Sequence, residues 1–180
     1  LTGLIADDEG FFNATQNARV VQAAEQYYRA IYRGSTASWN LRDRHMFDTL
    51  RALLEHRGPQ AKAVVWAHNS HIGNAAATEM GWKGQFNIGQ LCRSAYGRDA
   101  VLIGMSTDRG QVAAADDWDG AMLIKDIRPS LPASWEQQFL KAGVPASLTD
   151  WRAPQRTELR SALSSTLLER AIGVIYRPDT

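Results

Sequence analysis

Apolar residues recur at helical spacing twice near the start of the chain. In ARVVQAAEQYYRAIYRG, Val20, Val21, Ala24, Tyr27, Tyr28 and Ile31 predict a helix that stops at Gly34. In NLRDRHMFDTLRALLEHRGP, Met46, Leu50, Leu53 and Leu54 share one face, with Asn40 as candidate cap and Gly58-Pro59 as the stop. The pattern then changes. AKAVVWA, residues 61–67, is short, β-branched and apolar on both faces, which predicts a buried strand. IGQLCRSAYG predicts a short helix ending at Gly97, and DAVLIGM, residues 99–105, a second buried strand. AMLIKDI (121–127) and IGVIY (172–176) read as further strands, with TELRSALSSTLLERA (157–171) as a helix between them. Residues 128–156, rich in Pro, Ser and Trp, read as the most loop-like region, an insertion lining a cleft.

Helix and strand therefore alternate. The expected fold class is α/β, a layered sandwich with a largely parallel central sheet flanked by helices, forming part of a larger domain. The chain opens on Leu1 without an initiator Met, and LTGLIADDEGFF reads as the interior of a longer sequence.

Composition narrows the function classes. Twenty basic and nineteen acidic residues are interspersed, for a net charge of +1, so no basic stripe points to nucleic acid. The longest apolar runs reach only about half a membrane span, so no membrane partner is expected. Cys92 is the single cysteine, which excludes an internal disulfide. With no visible signal segment, the cytoplasm is the expected compartment.

The candidate chemistry lies in VVWAHNSHIG. His68 and His71 follow a predicted strand, and ligands of open α/β sheets bind beyond the carboxyl ends of strands. Imidazole can accept or donate a proton near neutral pH, or bind a metal. Asn69 and Ser70 add hydrogen-bonding groups to the same turn. The competing structural reading makes one histidine a strand-end cap and leaves the other in solvent. A third reading adds Glu79 to hold zinc. The spacing is not H-E-x-x-H and one cysteine supplies no thiolate set, so no metal ligand is assigned. Arg42 and Asp43 read as an exposed pair at a helix start. Thr107, Asp108 and Arg109 follow the second buried strand. No G-x-S-x-G elbow, P-loop or G-x-G-x-x-G is present.

RDRHM, VVWAHNSHIG, VLIGMSTDRGQVAAADDWDG and ERAIGVIYRP, in this order and at this spacing, resemble the erythromycin esterase family over residues 15–178. The resemblance implies that residues 1–180 are the C-terminal portion of an erythromycin esterase-like domain. It implies an antibiotic-resistance type of activity: hydrolysis of a small-molecule ester or macrolide lactone by histidine-assisted water attack, with no metal or other cofactor. His68 and His71 would then be catalytic, with Asn69, Arg42 and Arg109 as candidate substrate-binding groups. The family's general base lies in a G-E-x-x-H-G segment, and this sequence contains none. The expectation is that the chain alone hydrolyses esters poorly and associates with itself or with a missing N-terminal part. Two alternatives stand beside the esterase reading: a non-catalytic ligand-binding module that keeps the cleft wall, and a metal-dependent hydrolase.

Overall fold

A computed structural model describes residues 8–32, 34–152, 157–162 and 164–178. The chain mixes helix and sheet and divides into two compact units, Leu1–Gly104 and Met105–Thr180.

The first unit is built on a helical hairpin. Helix α1 spans Asp8–Ile31, and α2 spans Ser35–Arg57. Both start earlier than the apolar period alone predicts. Gly34, at φ 135°, makes the tight reversal that a residue with a Cβ rarely adopts. The two helices run antiparallel, because the start of α1 touches the end of α2. The His56 ring stacks on Phe12 with centroids 4.0 Å apart. Glu9 pairs with His56 at 3.1 Å and with Arg57 at 3.2 Å. Gly58, at φ 88°, ends α2 with its N–H on the carbonyls of Leu54 and Glu55. Asn40 does not cap α2 but lies inside it.

Three short helices follow: α3 (Asn69–Ile72), α4 (Glu79–Trp82) and α5 (Ile88–Tyr96). The last matches the helix read from IGQLCRSAYG, with Gly97 as its cap.

The expected largely parallel central sheet is not formed among the described residues. Residues 61–67 and 99–105 have no ladder partner there. Val64 is 93% exposed and Trp66 84%, in place of the burial that their pattern predicts. A strand apolar on both faces becomes buried only when neighbours cover it, and hydropathy specifies the demand without supplying the neighbours.

The ladder that does form is antiparallel and lies in the second unit. Strand β1 (Gln111–Ala114) pairs with β2 (Leu123–Asp126), with Gln111 opposite Asp126 and Ala114 opposite Leu123. The β2 strand lies within the predicted 121–127 segment; β1 was not predicted. Asp119, at φ 58°, lies in the connecting turn before Gly120. A single parallel bridge joins Ala115 to Ile175, so IGVIY makes one contact of a strand rather than a full ladder. Helix α6 (Trp135–Lys141) interrupts the region read as loop. Its Ser134 cap accepts from the Gln137 N–H, a pairing legible as S-x-x-Q. Helix α7 covers Thr157–Ala162 only, and residues 164–171 are not helical; residue 163 and residues 153–156 lie outside the described residues.

Two carboxylates brace this unit. Glu136, 4% exposed, accepts from the Ser106 hydroxyl at 2.6 Å and the Arg170 N–H at 2.8 Å. Burial pushes its carboxyl up, but these hydrogen bonds outweigh burial and hold it below the usual range. Asp108 accepts from the Ser130 hydroxyl and N–H and pairs with Arg109 at 2.7 Å. These contacts, the Ser130 hydroxyl first, hold its carboxyl down at about 2. No described helix is long and apolar enough to cross a membrane.

A carboxyl whose folded value is depressed stabilises the fold above its ordinary value near 3.8, and that contribution disappears as pH falls toward about 2. Ser130→Ala should therefore lower the melting temperature at pH near 6, with the gap to wild type closing as pH falls from about 4 to about 2. Thermal melts across that range measure the gap. A gap independent of pH would assign the loss to packing instead.

Candidate active site

The site grows from the face of α2 that carries Trp39 and Asp43, one turn apart. Asp43 is fully buried, at 0% exposure. A carboxylate there needs donors, and it has them. The His71 Nδ1 lies 2.9 Å from Oδ1 and 3.1 Å from Oδ2. The Ile88 N–H donates to Oδ1 at 3.1 Å. Ile88 is the first residue of α5, so the anion also faces the positive end of a helix.

Five further hydrogen bonds hold the elements that carry these groups. Trp39 Nε1 donates to the Phe86 carbonyl at 2.8 Å. Asn40 donates to the Gly84 carbonyl at 2.9 Å and accepts from the Phe86 N–H at 3.0 Å. Asn87, 1% exposed, donates to the Ser70 carbonyl at 2.8 Å while its Oδ1 caps α5 through the Gln90 N–H. The start of α2, the histidine turn and the start of α5 are thus one assembly. Gly89 seals it. A Cβ there would lie 2.2 Å from the Gly73 carbonyl and 2.3 Å from that of Ile72.

Within this frame the two histidines differ. His71 stacks flat on Trp39, with centroids 4.7 Å apart and planes 4° from parallel. Its side chain is 19% exposed. Asp43 accepts the Nδ1 proton, so the neutral ring carries its lone pair on Nε2. Arg42 Nη2 stands 3.5 Å from that atom, and its guanidinium carbon lies 4.8 Å from the centre of the Trp39 ring. His68 instead caps α3: its Nδ1 accepts from the Ser70 N–H at 3.2 Å and lies 2.9 Å from the Ser70 hydroxyl. It is exposed.

The structure therefore brings His71, Arg42, Asp43 and Trp39 together, with Asn69 one turn of chain away. Asn69 opens α3, and its carbonyl accepts from the Gly73 N–H at 2.9 Å. Arg109 belongs to the second unit, where its exposed side chain pairs with Asp108. Glu79 is exposed and paired with Lys83 at 2.7 Å, one helical turn on. No cluster of three or more His, Cys, Asp or Glu suited to a metal occurs among the described residues. Sequence reasoning missed the buried role of Asp43 and the stacking role of Trp39. Their i, i+4 spacing was the available signal.

A buried carboxylate that orients a mostly buried imidazole beside a guanidinium is an arrangement able to move a proton, the chemistry that hydrolases use. The chain matches the profile of the erythromycin esterase family over residues 3–180, and it belongs to that family. No solved structure matches it.

Asp43→Ala removes one partner of a buried pair and should cost about 3–5 kcal/mol of stability. Denaturant melts measure it, and a loss under about 1 kcal/mol would show that water replaces the carboxylate without penalty. Gly89→Ala inserts a methyl group into backbone and should cost about 1–3 kcal/mol. The same melts test it, and an unchanged midpoint would mean that the α5 start slides freely.

Proposed function

We propose that the chain takes part in metal-independent hydrolysis of a carboxylic ester, a macrolide lactone among the candidates, with His71 as the acid–base group. Family membership points to a hydrolase. The observation that carries the finer reading is the 2.9 Å contact between His71 Nδ1 and the buried Asp43. His68 caps its own turn, and His56 is held between Phe12 and Glu9. His45 faces a groove between α1 and α2.

The step is simple in outline. Water attacks the ester carbonyl carbon and gives its proton to His71 Nε2. Asp43 keeps the ring oriented while it carries the extra charge. The tetrahedral oxyanion takes hydrogen bonds from Arg42, where a fixed donor is worth roughly 10²–10³-fold. Collapse breaks the carbon–oxygen bond, and the alkoxide leaves with the proton held on Nε2. Trp39 offers a flat wall that restrains the imidazole, and Asn69 is a polar group for substrate oxygen. The resemblance puts the family's general base on a histidine of a G-E-x-x-H-G segment; where that base is present, His71 instead positions the water and assists the departing alkoxide.

The test follows erythromycin and aryl-acetate hydrolysis with wild type, His71→Ala, Asp43→Asn and His68→Ala. His71→Ala and Asp43→Asn should each lower turnover ~10-fold or more, against the roughly 10²–10⁴-fold that a positioned acid–base group can contribute. His68→Ala should act mainly through the stability of α3. Turnover indifferent to both His71 and Asp43 sinks the mechanism. Saturable ligand binding with no turnover, even in a parent protein that supplies the G-E-x-x-H-G segment, favours the binding-module reading. Turnover that a chelator abolishes and zinc restores favours the metal-dependent one.

A further inference from the structure

RDRHM supplies the acid–base site with Arg42 and Asp43 only. The next two residues, Arg44 and His45, point elsewhere. An α-helix turns about 100° per residue, which puts Leu41, Arg44, His45 and Asp48 on the face of α2 away from Trp39 and Asp43. That face lies along α1, and together the two helices line a groove of about 280 Å³. From α1 the lining includes Arg19, Gln22 and Gln26, one helical turn apart in sequence.

The charge of this groove is not neutralised from within. Arg44 is fixed by aromatic rings rather than by a carboxylate: its guanidinium carbon lies 5.1 Å from the Phe86 ring centre and 6.0 Å from that of Phe47. Neither Arg19 nor Arg44 has an ion pair among the described residues, and Asp48 pairs with neither. A guanidinium set against rings rather than a carboxylate keeps its N–H fork free for oxyanions. Arg19 and Arg44 against the one carboxylate of Asp48 leave the groove positive. Asp48 and the two glutamine amides offer acceptors and donors beside the cations. The volume is just under the usual range of small-molecule sites, ~300–1,000 Å³, which limits the ligand to a small one.

We propose that this groove is a second binding site, taking a small hydroxylated anion, a hydroxy carboxylate or a phosphate ester of a polyol. The anion sits between Arg19 and Arg44, and its hydroxyl groups meet Asp48, Gln22 and Gln26. The site is independent of the ester chemistry, since it uses none of the residues around His71.

Calorimetric titration of the chain with glycerol phosphate, gluconate, inorganic phosphate and glycerol tests it. The shared prediction is saturable binding of glycerol phosphate or gluconate, weaker binding of inorganic phosphate and none of glycerol. The stronger of the first two identifies the anion. Arg19→Gln and Arg44→Gln should each weaken that ligand about 5-fold or more, as for a charge-assisted contact at a partly exposed site. Lys62→Gln, which removes the same charge elsewhere, should leave the affinity unchanged. Arg19 is exposed and unpaired, so its variant reads binding without a folding defect even if Arg44→Gln disturbs Phe86. Absence of saturable binding by both hydroxylated anions overturns the proposal. So does equal weakening by Lys62→Gln, which would show a response to net charge alone, or an affinity indifferent to Arg19.

Discussion

The first unit depends on one buried carboxylate. Asp43 has no access to water, so its charge must be met by donors from other elements. Those donors are the His71 ring and the first N–H of α5. One side chain thereby fixes three things at once: the angle of the imidazole, the start of α5 and the distance of both from α2. The cost of leaving such a group unpaired exceeds the net gain of an ordinary hydrogen bond. That asymmetry is why the surrounding contacts of Trp39, Asn40 and Asn87 act to defend its geometry rather than to add stability on their own.

The proposed function rests on the same asymmetry. A histidine in solvent samples many rotamers and both tautomers. Here Asp43 selects the tautomer, Trp39 selects the ring plane and Arg42 faces the remaining nitrogen. His68, three residues earlier, caps its own turn through the Ser70 N–H. Two histidines that look equivalent in HNSH are thus separated by what lies beneath them.

The polar turn that carries the candidate site was legible in the sequence, and what lies beneath it was not. An apolar run followed by HNSH marks a polar turn after an extended segment, and that is where the turn lies. The Arg42–Asp43 pair read as a helix start because the apolar period of α2 becomes visible only near Met46. With the true start at Ser35, Asp43 is two turns inside and faces the fold. The hairpin of β1 and β2 carried a readable signal in Asp119-Gly120 between two apolar runs. Helix α6 carried one in Ser134 and Gln137. The strands at 61–67 and 99–105 differ in kind. Their pattern states what they require, two covered faces, and no pattern within a segment can say whether the covering strands are at hand.

The division of Arg42, Asp43, Arg44 and His45 between two faces has a consequence for how α2 tolerates change. Adjacent residues here serve opposite sides of one rod, so the identity of each side can drift by substitution without disturbing the other. Length is another matter. One residue added or removed between Gly34 and Trp39 is absorbed at the fraying end of the helix. The same change between Trp39 and Asp43 rotates everything beyond it by about 100°, and Asp43 then no longer shares a side with the ring that walls its imidazole. The phase of four residues, more than their chemistry, is what α2 has to keep.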